Sequence, residues 1–244
     1  MQVNKLLEET KTLNWQEKLE FLSKNYKNLT FSTSFSIEDQ LILDFIFKND
    51  LKVEVFAIDT GRLPNATYEL WQEVLNKYQK PIKAFYPDAN KIGQWVEQNG
   101  INSFYESVDL RHECCHIRKV EPLQRAIKGK EIWISGVRKE HTANRQDKEF
   151  FEFDSNLNII KFYPLLDFSE DEVWQYIKKN NIPYNKLYDQ GYTSIGCDPC
   201  SRAIKKGEDA RSGRWWWENS DQECGLHMVD GRLVRAKKEK KDVL

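Results

Sequence analysis

A chain of 244 residues with 40% hydrophobic content can bury one large α/β core or two small ones. A formal net charge of −1 creates no global field toward nucleic acid or a membrane surface. No apolar run approaches the ~20 residues a spanning helix needs, and the opening MQVNKLLEET lacks the charged start and apolar stretch of a secretory leader. A cytoplasmic enzyme with no nucleic-acid or membrane partner is the expectation, with its thiols kept reduced.

Leu6–Tyr26 has the spacing of an amphipathic helix, with Leu7, Leu19 and Leu22 on its apolar stripe. Leu29–Ser34 then reads as a strand end and Ile37–Phe47 as a helix. Lys52–Asp59 (KVEVFAID) is a β-branched strand ending in a polar turn. A helix over Asn65–Tyr78, a short strand over Pro81–Tyr86 and helices over Asp88–Gln98 and Cys114–Ile127 follow. Glu131–Arg138 (EIWISGVR) is another strand with a glycine turn at its end. This alternation predicts an α/β fold built on a mainly parallel twisted sheet with helices on both faces. Phe150–Phe153 and Ile159–Tyr163 flank DSNLN and suggest a small hairpin. Ser169-x-x-Glu172 is a capping box that opens a helix to Asn180. Beyond about Asn185 the hydrophobic period fades. Residues 1–190 are therefore read as the α/β nucleotide-binding part. Residues 191–244, rich in Gly, Cys, Arg and Trp, are read as a closing lid and tail of the same functional unit.

Ligands of such sheets sit at the C-terminal strand ends. Three polar turns fall there. Phe31–Gln40 (FSTSFSIEDQ) offers Ser32, Thr33, Ser34 and exposed amides ahead of a helix N-terminus, which suits an anion. Its plainer reading is a helix cap by Ser34 or Ser36. Ile58–Tyr68 (IDTGRLPNATY) offers Asp59, Gly61 and Arg62, and could be only a surface turn. Ser135–Arg145 (SGVRKEHTANR) brings Gly136, Arg138 and Arg145 to the same edge. Each is weak alone. Three in register point to a nucleotide or another phosphate ester.

The five cysteines are Cys114, Cys115, Cys197, Cys200 and Cys224. Their odd number and wide spacing argue against a disulfide framework. Adjacent Cys114 and Cys115 point their Cβ atoms apart, so they do not suit bonding to each other, but both can face one larger object. Cys197-x-x-Cys200 is a common metal-ligand spacing, and two distant pairs can close one site. Zinc fits the spacing. A cluster of several irons would accept the adjacent pair with less crowding, its negative charge offset by Arg111, Arg118 and Lys119. Trp215–Trp217 reads as packing, and Arg211 and Arg214 are either solvated or anion-facing. Cys224 lies in a polar stretch three residues before His227 and suits an accessible nucleophile, although an idle thiol is the plainer reading.

Together, ECCHIRKVEPL, GYTSIGCDPCSRAI, GEDARSGRWWWE and ECGLH resemble the assimilatory sulfonucleotide reductases, most closely the iron–sulfur adenylylsulfate (APS) reductases. The resemblance spans roughly Phe31 to His227. TSFSIEDQ is similar to that family's phosphate loop and DTGRL to its nucleotide turn. The resemblance implies an adenine-nucleotide alpha-hydrolase-like fold and a [4Fe-4S] cluster on Cys114, Cys115, Cys197 and Cys200. It implies that Cys224 is the nucleophile, that Lys119 lies between cluster and substrate, and that Arg211, Arg214 and His227 contact the sulfonucleotide. The chemistry that follows is a Cys S-sulfonate intermediate discharged by thioredoxin or a similar dithiol donor, which requires a tail that moves between the two partners and is complete without an electron-carrying role for the cluster. A homo-oligomer is expected. Ser36 departs from the family's usual glycine, which leaves the fine geometry of that loop open. Three alternatives stand beside this reading: a 3′-phosphoadenylyl sulfate (PAPS) or dual-substrate reductase, an ATP-pyrophosphatase-like enzyme, and a zinc-stapled nucleotide-binding module.

Overall fold

The computed structural model describes residues 2–141, 147–218, 228–229 and 232–233. A six-stranded sheet runs β3-β2-β1-β4-β6-β5. Its strands are β1 (Leu29–Thr33), β2 (Val53–Ile58), β3 (Lys83–Phe85), β4 (Ile132–Ile134), β5 (Phe151–Asp154) and β6 (Ile159–Phe162). All neighbours are parallel except the β5–β6 hairpin, which pairs Phe151 with Phe162 and Asp154 with Ile159. The mainly parallel α/β sheet expected from the alternation is the one observed.

Strand alternation decides what each face meets. Leu29, Phe31, Val55, Ala57, Ile132, Ile134, Ile160 and Phe162 pack into the main core with α2 (Trp15–Asn25), α3 (Ile37–Lys48), α4 (Asn65–Tyr78) and α8 (Glu170–Lys179). Phe56, Ile58, Trp133 and Ile159 point the other way, onto Leu123, Ala126 and Ile127 of α7 (Glu121–Ile127). α3 is buried along nearly its whole length, its polar residues Glu38, Asp39, Gln40 and Asp44 included.

Two expected helices differ in detail. Leu6–Tyr26 is two helices, α1 (Gln2–Thr10) and α2, because Asn14 and Glu17 form a capping box that restarts the chain. The helix expected to begin at Cys114 begins at Val108 instead, with Ser107 as its cap. It runs as α6 (Val108–Cys115), passes through a π-helical turn over His116–Val120 and continues as α7. The capping box at Ser169 is present as expected. α5 (Ala89–Asn99) packs Trp95 beside α6. A two-stranded ribbon, β7 (Met228–Val229) and β8 (Arg232–Leu233), lies within the residues read as the closing lid and tail.

β1 is the switch point of the sheet. The chain leaves it toward β2 on one side and β4 on the other. The loops after β1, β2 and β4 therefore converge on one crevice at the C-terminal strand ends.

Candidate active site

A cavity of about 460 Å³ fills that crevice. Its floor is the β1–α3 loop. Ser32, Thr33, Ser34 and Ser36 all line it. Ser36 is the N-cap of α3 at φ −68°, and its Oγ accepts from the Asp39 amide at 3.3 Å. A glycine's freedom is therefore not needed at position 36. The left-handed residue of the turn is Phe35, at φ 61°. Ser32 Oγ accepts from Trp133 Nε1 at 2.8 Å, so β4 and β1 are tied side by side beneath the cavity.

Asp39 anchors the loop from within the first turn of α3. The Ser34 amide and hydroxyl both donate to Asp39 Oδ2, at 2.6 and 2.8 Å. Burial, partly countered by these bonds, pushes its carboxyl up to about 6. Gly136, at the end of β4, is glycine for a steric reason: a Cβ there would overlap Asp39 Oδ1. Arg138 lines the cavity, but its guanidinium is buried against carboxylates. Nε donates to Glu38 Oε1 at 2.8 Å and Nη1 to Glu140 Oε2 at 2.8 Å.

The β2–α4 turn forms the second side. Thr60 and Arg62 line the cavity, while Asp59 and Gly61 shape the turn behind it. Gly61, at φ +70°, donates its amide to Asp59 Oδ1 at 2.8 Å, and Tyr68 donates to the same oxygen at 2.7 Å. Arg62 is turned outward, donating to Ile101 O and Asn102 Oδ1 at 2.5 and 2.8 Å.

The third side is sulfur. Cys114, Cys115, Cys197 and Cys200 all line the same cavity. Cys114, Cys197 and Cys200 share an apolar cluster with Trp95, Phe104 and Trp215. Thr60 Oγ1 lies 3.2 Å from Cys197 Sγ. Arg118 donates Nη1 to Thr60 O at 2.7 Å, lies beside Cys114, and has a buried Nε with no hydrogen-bond partner. Burial pushes the Cys114 thiol up; burial and then the neighbouring Cys197 push Cys200 up to about 12. Thiols so placed need a cation to become thiolates. Among the described residues, no three His, Cys, Asp or Glu side chains are grouped to hold a metal ion. The donor set, four sulfurs walled by apolar rings and basic side chains, fits a soft multi-centre group better than a single hard ion.

Residues 191–218 complete the wall. The Asp198 amide donates to Arg62 O at 2.8 Å, and Tyr105 Oη donates to Pro199 O at 2.8 Å. Arg214 is buried, donating Nε to Cys200 O at 2.9 Å, with its guanidinium 4.6 Å from the Trp215 ring. Arg211 and Lys119 line the cavity. Arg145, His227 and Cys224 lie outside the described residues. The structure thus brings the β1–α3 loop, the basic residues Lys119, Arg211 and Arg214, and four cysteines to one space. Asp39, Thr60 and Trp133 join them. Their only sequence signals were a polar helix start, a polar turn and a strand residue on the face opposite Ile132 and Ile134.

No helix among the described residues is long and apolar enough to cross a membrane. The family model for the phosphoadenosine phosphosulfate reductase domain matches residues 28–203. The adenosine 5′-phosphosulfate reductase of Neisseria meningitidis serogroup A is 44% identical over 224 residues, covering 91% of each chain. That of Allochromatium vinosum is 42% identical over 212 residues, covering 86% of this chain and 83% of its own. Among solved structures, the phosphate complex of phosphoadenylyl-sulfate (PAPS) reductase from Candida auris superposes with a TM-score of 0.71 at 30% identity, covering 83% of this chain and 96% of its own. The Candida glabrata FMN adenylyltransferase, at 14% identity and a TM-score of 0.54, shares the fold. With 44% identity along nearly the whole of a curated relative and a family model over most of its sheet, this chain belongs to the phosphoadenosine phosphosulfate reductase family.

Proposed function

We propose that this chain reduces adenosine 5′-phosphosulfate to sulfite and AMP at the expense of a dithiol protein such as thioredoxin, in assimilatory sulfate reduction in the cytoplasm. The observation that carries the proposal is one cavity in which an anion loop at a helix N-terminus faces four cysteines and a set of basic side chains. Its volume, about 460 Å³, suits a mononucleotide-sized ligand. The curated relatives named above carry the same activity in their names.

The division of labour follows from the residues. Main-chain amides at the start of α3 hold the phosphate end of the substrate. Lys119, Arg211 and Arg214, with Arg145 and His227, screen the sulfate so that a thiolate can approach it. Cys114, Cys115, Cys197 and Cys200 would hold a [4Fe-4S] cluster, which when bound supplies a fixed local charge beside the substrate. Cys224 attacks the sulfate sulfur; the S–O bond breaks, an S–S bond forms, and AMP leaves. A partner thiolate then attacks the Cys224 sulfur and sulfite departs. The partner's second thiol frees Cys224, and the partner leaves as a disulfide, having given the two electrons that take the sulfate sulfur to sulfite. Residues 191–244 act as the closing part of this machine and residues 1–190 as its nucleotide-binding part, in a homo-oligomer.

The test is anaerobic turnover with reduced thioredoxin, reading sulfite and AMP. The parent enzyme is expected to carry an APS-dependent sulfonate adduct on Cys224 by mass spectrometry. Cys224→Ser is expected to bind nucleotide and form none. An adduct of labelled sulfur on Cys224→Ser overturns the assignment. The Candida auris relative, titled a PAPS reductase, supports PAPS as a second reading. The ratio of kcat/KM for the two nucleotides decides between them.

A further inference from the structure

Two glycines in the closing segment are there for space rather than for backbone freedom. Neither Gly196 nor Gly213 lies at a positive φ. A Cβ on Gly213 would overlap the carbonyl oxygen of Arg202, whose amide donates to Gly213 O at 3.0 Å. A Cβ on Gly196 would meet a side chain instead. It would lie 2.6 Å from Cζ and Nη1 of Arg214 and nearer still to Nη2. The bare Cα of the residue before Cys197 is therefore the seat of the Arg214 guanidinium.

Both sides of this contact are held. Arg214 pairs with Ser201 in an antiparallel bridge, and its amide donates to Arg211 O at 2.8 Å. Its Nε donates to Cys200 O at 2.9 Å, and its guanidinium lies 4.6 Å from the buried Trp215 ring. Nη1 and Nη2 make no hydrogen bond to the described residues, and Arg214 lines the cavity. Across from it, the Gly196 amide donates to Ser201 Oγ at 2.9 Å, and that hydroxyl donates to Cys197 O at 3.0 Å. The Gly196 backbone is thus tied to the cysteine loop, whereas the atoms that crowd it are the end of a side chain. A methyl group at position 196 is relieved by moving the guanidinium, not the backbone. A cation that must meet developing negative charge works best when its place is set before the substrate arrives.

We infer that Gly196 is a positioning residue: by presenting no side chain, it seats the Arg214 guanidinium in the cavity wall where the anionic end of the sulfonucleotide binds. The inference rests on the reading of Arg214 as a sulfonucleotide contact given above. It adds a requirement that this reading does not contain, that the space over the Gly196 Cα stay free of carbon.

The test is a cycle of four full-length, iron-loaded proteins: the parent, Gly196→Ala, Arg214→Met and the double variant. Methionine ends where Arg214 Nε stands, so it keeps the stem and vacates the three crowded atoms. Gly196→Ala is expected to lower kcat/KM for APS at least tenfold with iron and sulfide content unchanged. Arg214→Met should lose at least as much. In the Arg214→Met background the added methyl should change kcat/KM less than twofold, because the atoms it would strike are gone. The same non-additivity should appear in guanidinium-chloride unfolding midpoints, which read the contact without turnover. Parental kcat/KM in Gly196→Ala overturns the inference. So do additive losses in either measurement, which would mark a backbone role for the glycine. Iron loss from a folded single variant does so too, since the pair would then serve the Cys197–Cys200 loop. Should Gly196→Ala fail to fold, the double variant is expected to fold and bind iron, and its failure sinks the inference. Parental kcat/KM in Arg214→Met defeats the reading of Arg214 itself, and the positioning inference with it; a low value there beside a parental one in Gly196→Ala defeats the positioning inference alone.

Discussion

Arg111 and Glu218 close the sulfur wall on itself: Nε donates to Oε1 at 2.7 Å and Nη2 to Oε2 at 2.8 Å. Arg111 precedes Cys114 by three residues on α6, and Glu218 follows Trp217 in the closing segment. Both side chains are nearly buried, at 4% and 6% exposure. The Arg111 guanidinium also lies 4.7 Å from the Trp215 ring, and Arg214 lies 4.6 Å from that same ring. One indole is therefore flanked by two cations, and one of these is paired with Glu218.

Breaking that pair from one side leaves a desolvated charge. Glu218→Gln is expected to cost about 3–5 kcal/mol, the usual penalty for orphaning a buried ion. The combination Arg111→Met with Glu218→Leu should cost less than either single change, because it removes both charges. Guanidinium-chloride unfolding of the parent, Arg111→Met, Glu218→Leu and the double variant gives the coupling directly. Simple additivity of the two single losses would show that the pair contributes nothing as a pair.

How much of this was open to sequence reading depends on distance along the chain. Ser169 and Glu172 form their capping box within four residues, so it is legible. The same signal at Asn14 and Glu17 lies inside a continuous amphipathic pattern, and the pattern hides the break. The π-helical turn at His116–Val120 leaves no mark on periodicity. The four cysteines are legible as one set since each pair is local and only their meeting is long-range. Arg138 shows the opposite case. An arginine after a strand end reads as an anion ligand; its pair with Glu140 is two residues away, but its pair with Glu38, a hundred residues away, is not legible. The role of Phe35 rather than position 36 as the left-handed residue likewise needs the backbone in view.

Gly136 is tested by a single methyl group. Gly136→Ala puts a carbon where Asp39 Oδ1 lies and crowds Glu38 Cβ. Either β4 shifts or Asp39 releases Ser34, so the variant should lose about 1–3 kcal/mol of stability, as overpacked sites do. Because Asp39 holds Ser34 in the loop proposed to bind the phosphate, AMP affinity by calorimetry should fall at least tenfold. An alanine variant with parental AMP affinity would show that the loop does not depend on this contact.

Asp39 itself gives a pH signature. Its folded value is raised to about 6, whereas an unfolded aspartate titrates near ~3.9. The folded state therefore binds this proton more tightly than the unfolded state. The sign follows: the group's stabilising contribution is complete below about pH 4 and is lost as pH rises through about 6. The span is on the order of 2–3 kcal/mol from the two-unit difference. Asp39→Asn should flatten the stability profile between pH 4 and 6.5 relative to the parent. Equal profiles for the two proteins across that range would remove Asp39 as the source.

Iron content separates the fixed sulfurs from the reactive one. Cys197 and Cys200 sit in the apolar cluster with Cys114, and Cys197 also contacts Thr60. A serine there keeps the volume but substitutes a hard oxygen for a soft sulfur, which iron–sulfur ligation tolerates poorly. Cys197→Ser and Cys200→Ser are expected to lose most of their iron and inorganic sulfide after anaerobic purification, along with the visible absorption near ~400 nm. Thr60→Val removes the hydroxyl 3.2 Å from Cys197 Sγ but no ligand, so it should retain iron. Cys224→Ser should retain it in full, because the proposed nucleophile is not a ligand. Full iron in Cys197→Ser would reject its ligand role, and iron loss in Cys224→Ser would move the fifth thiol from chemistry to metal binding.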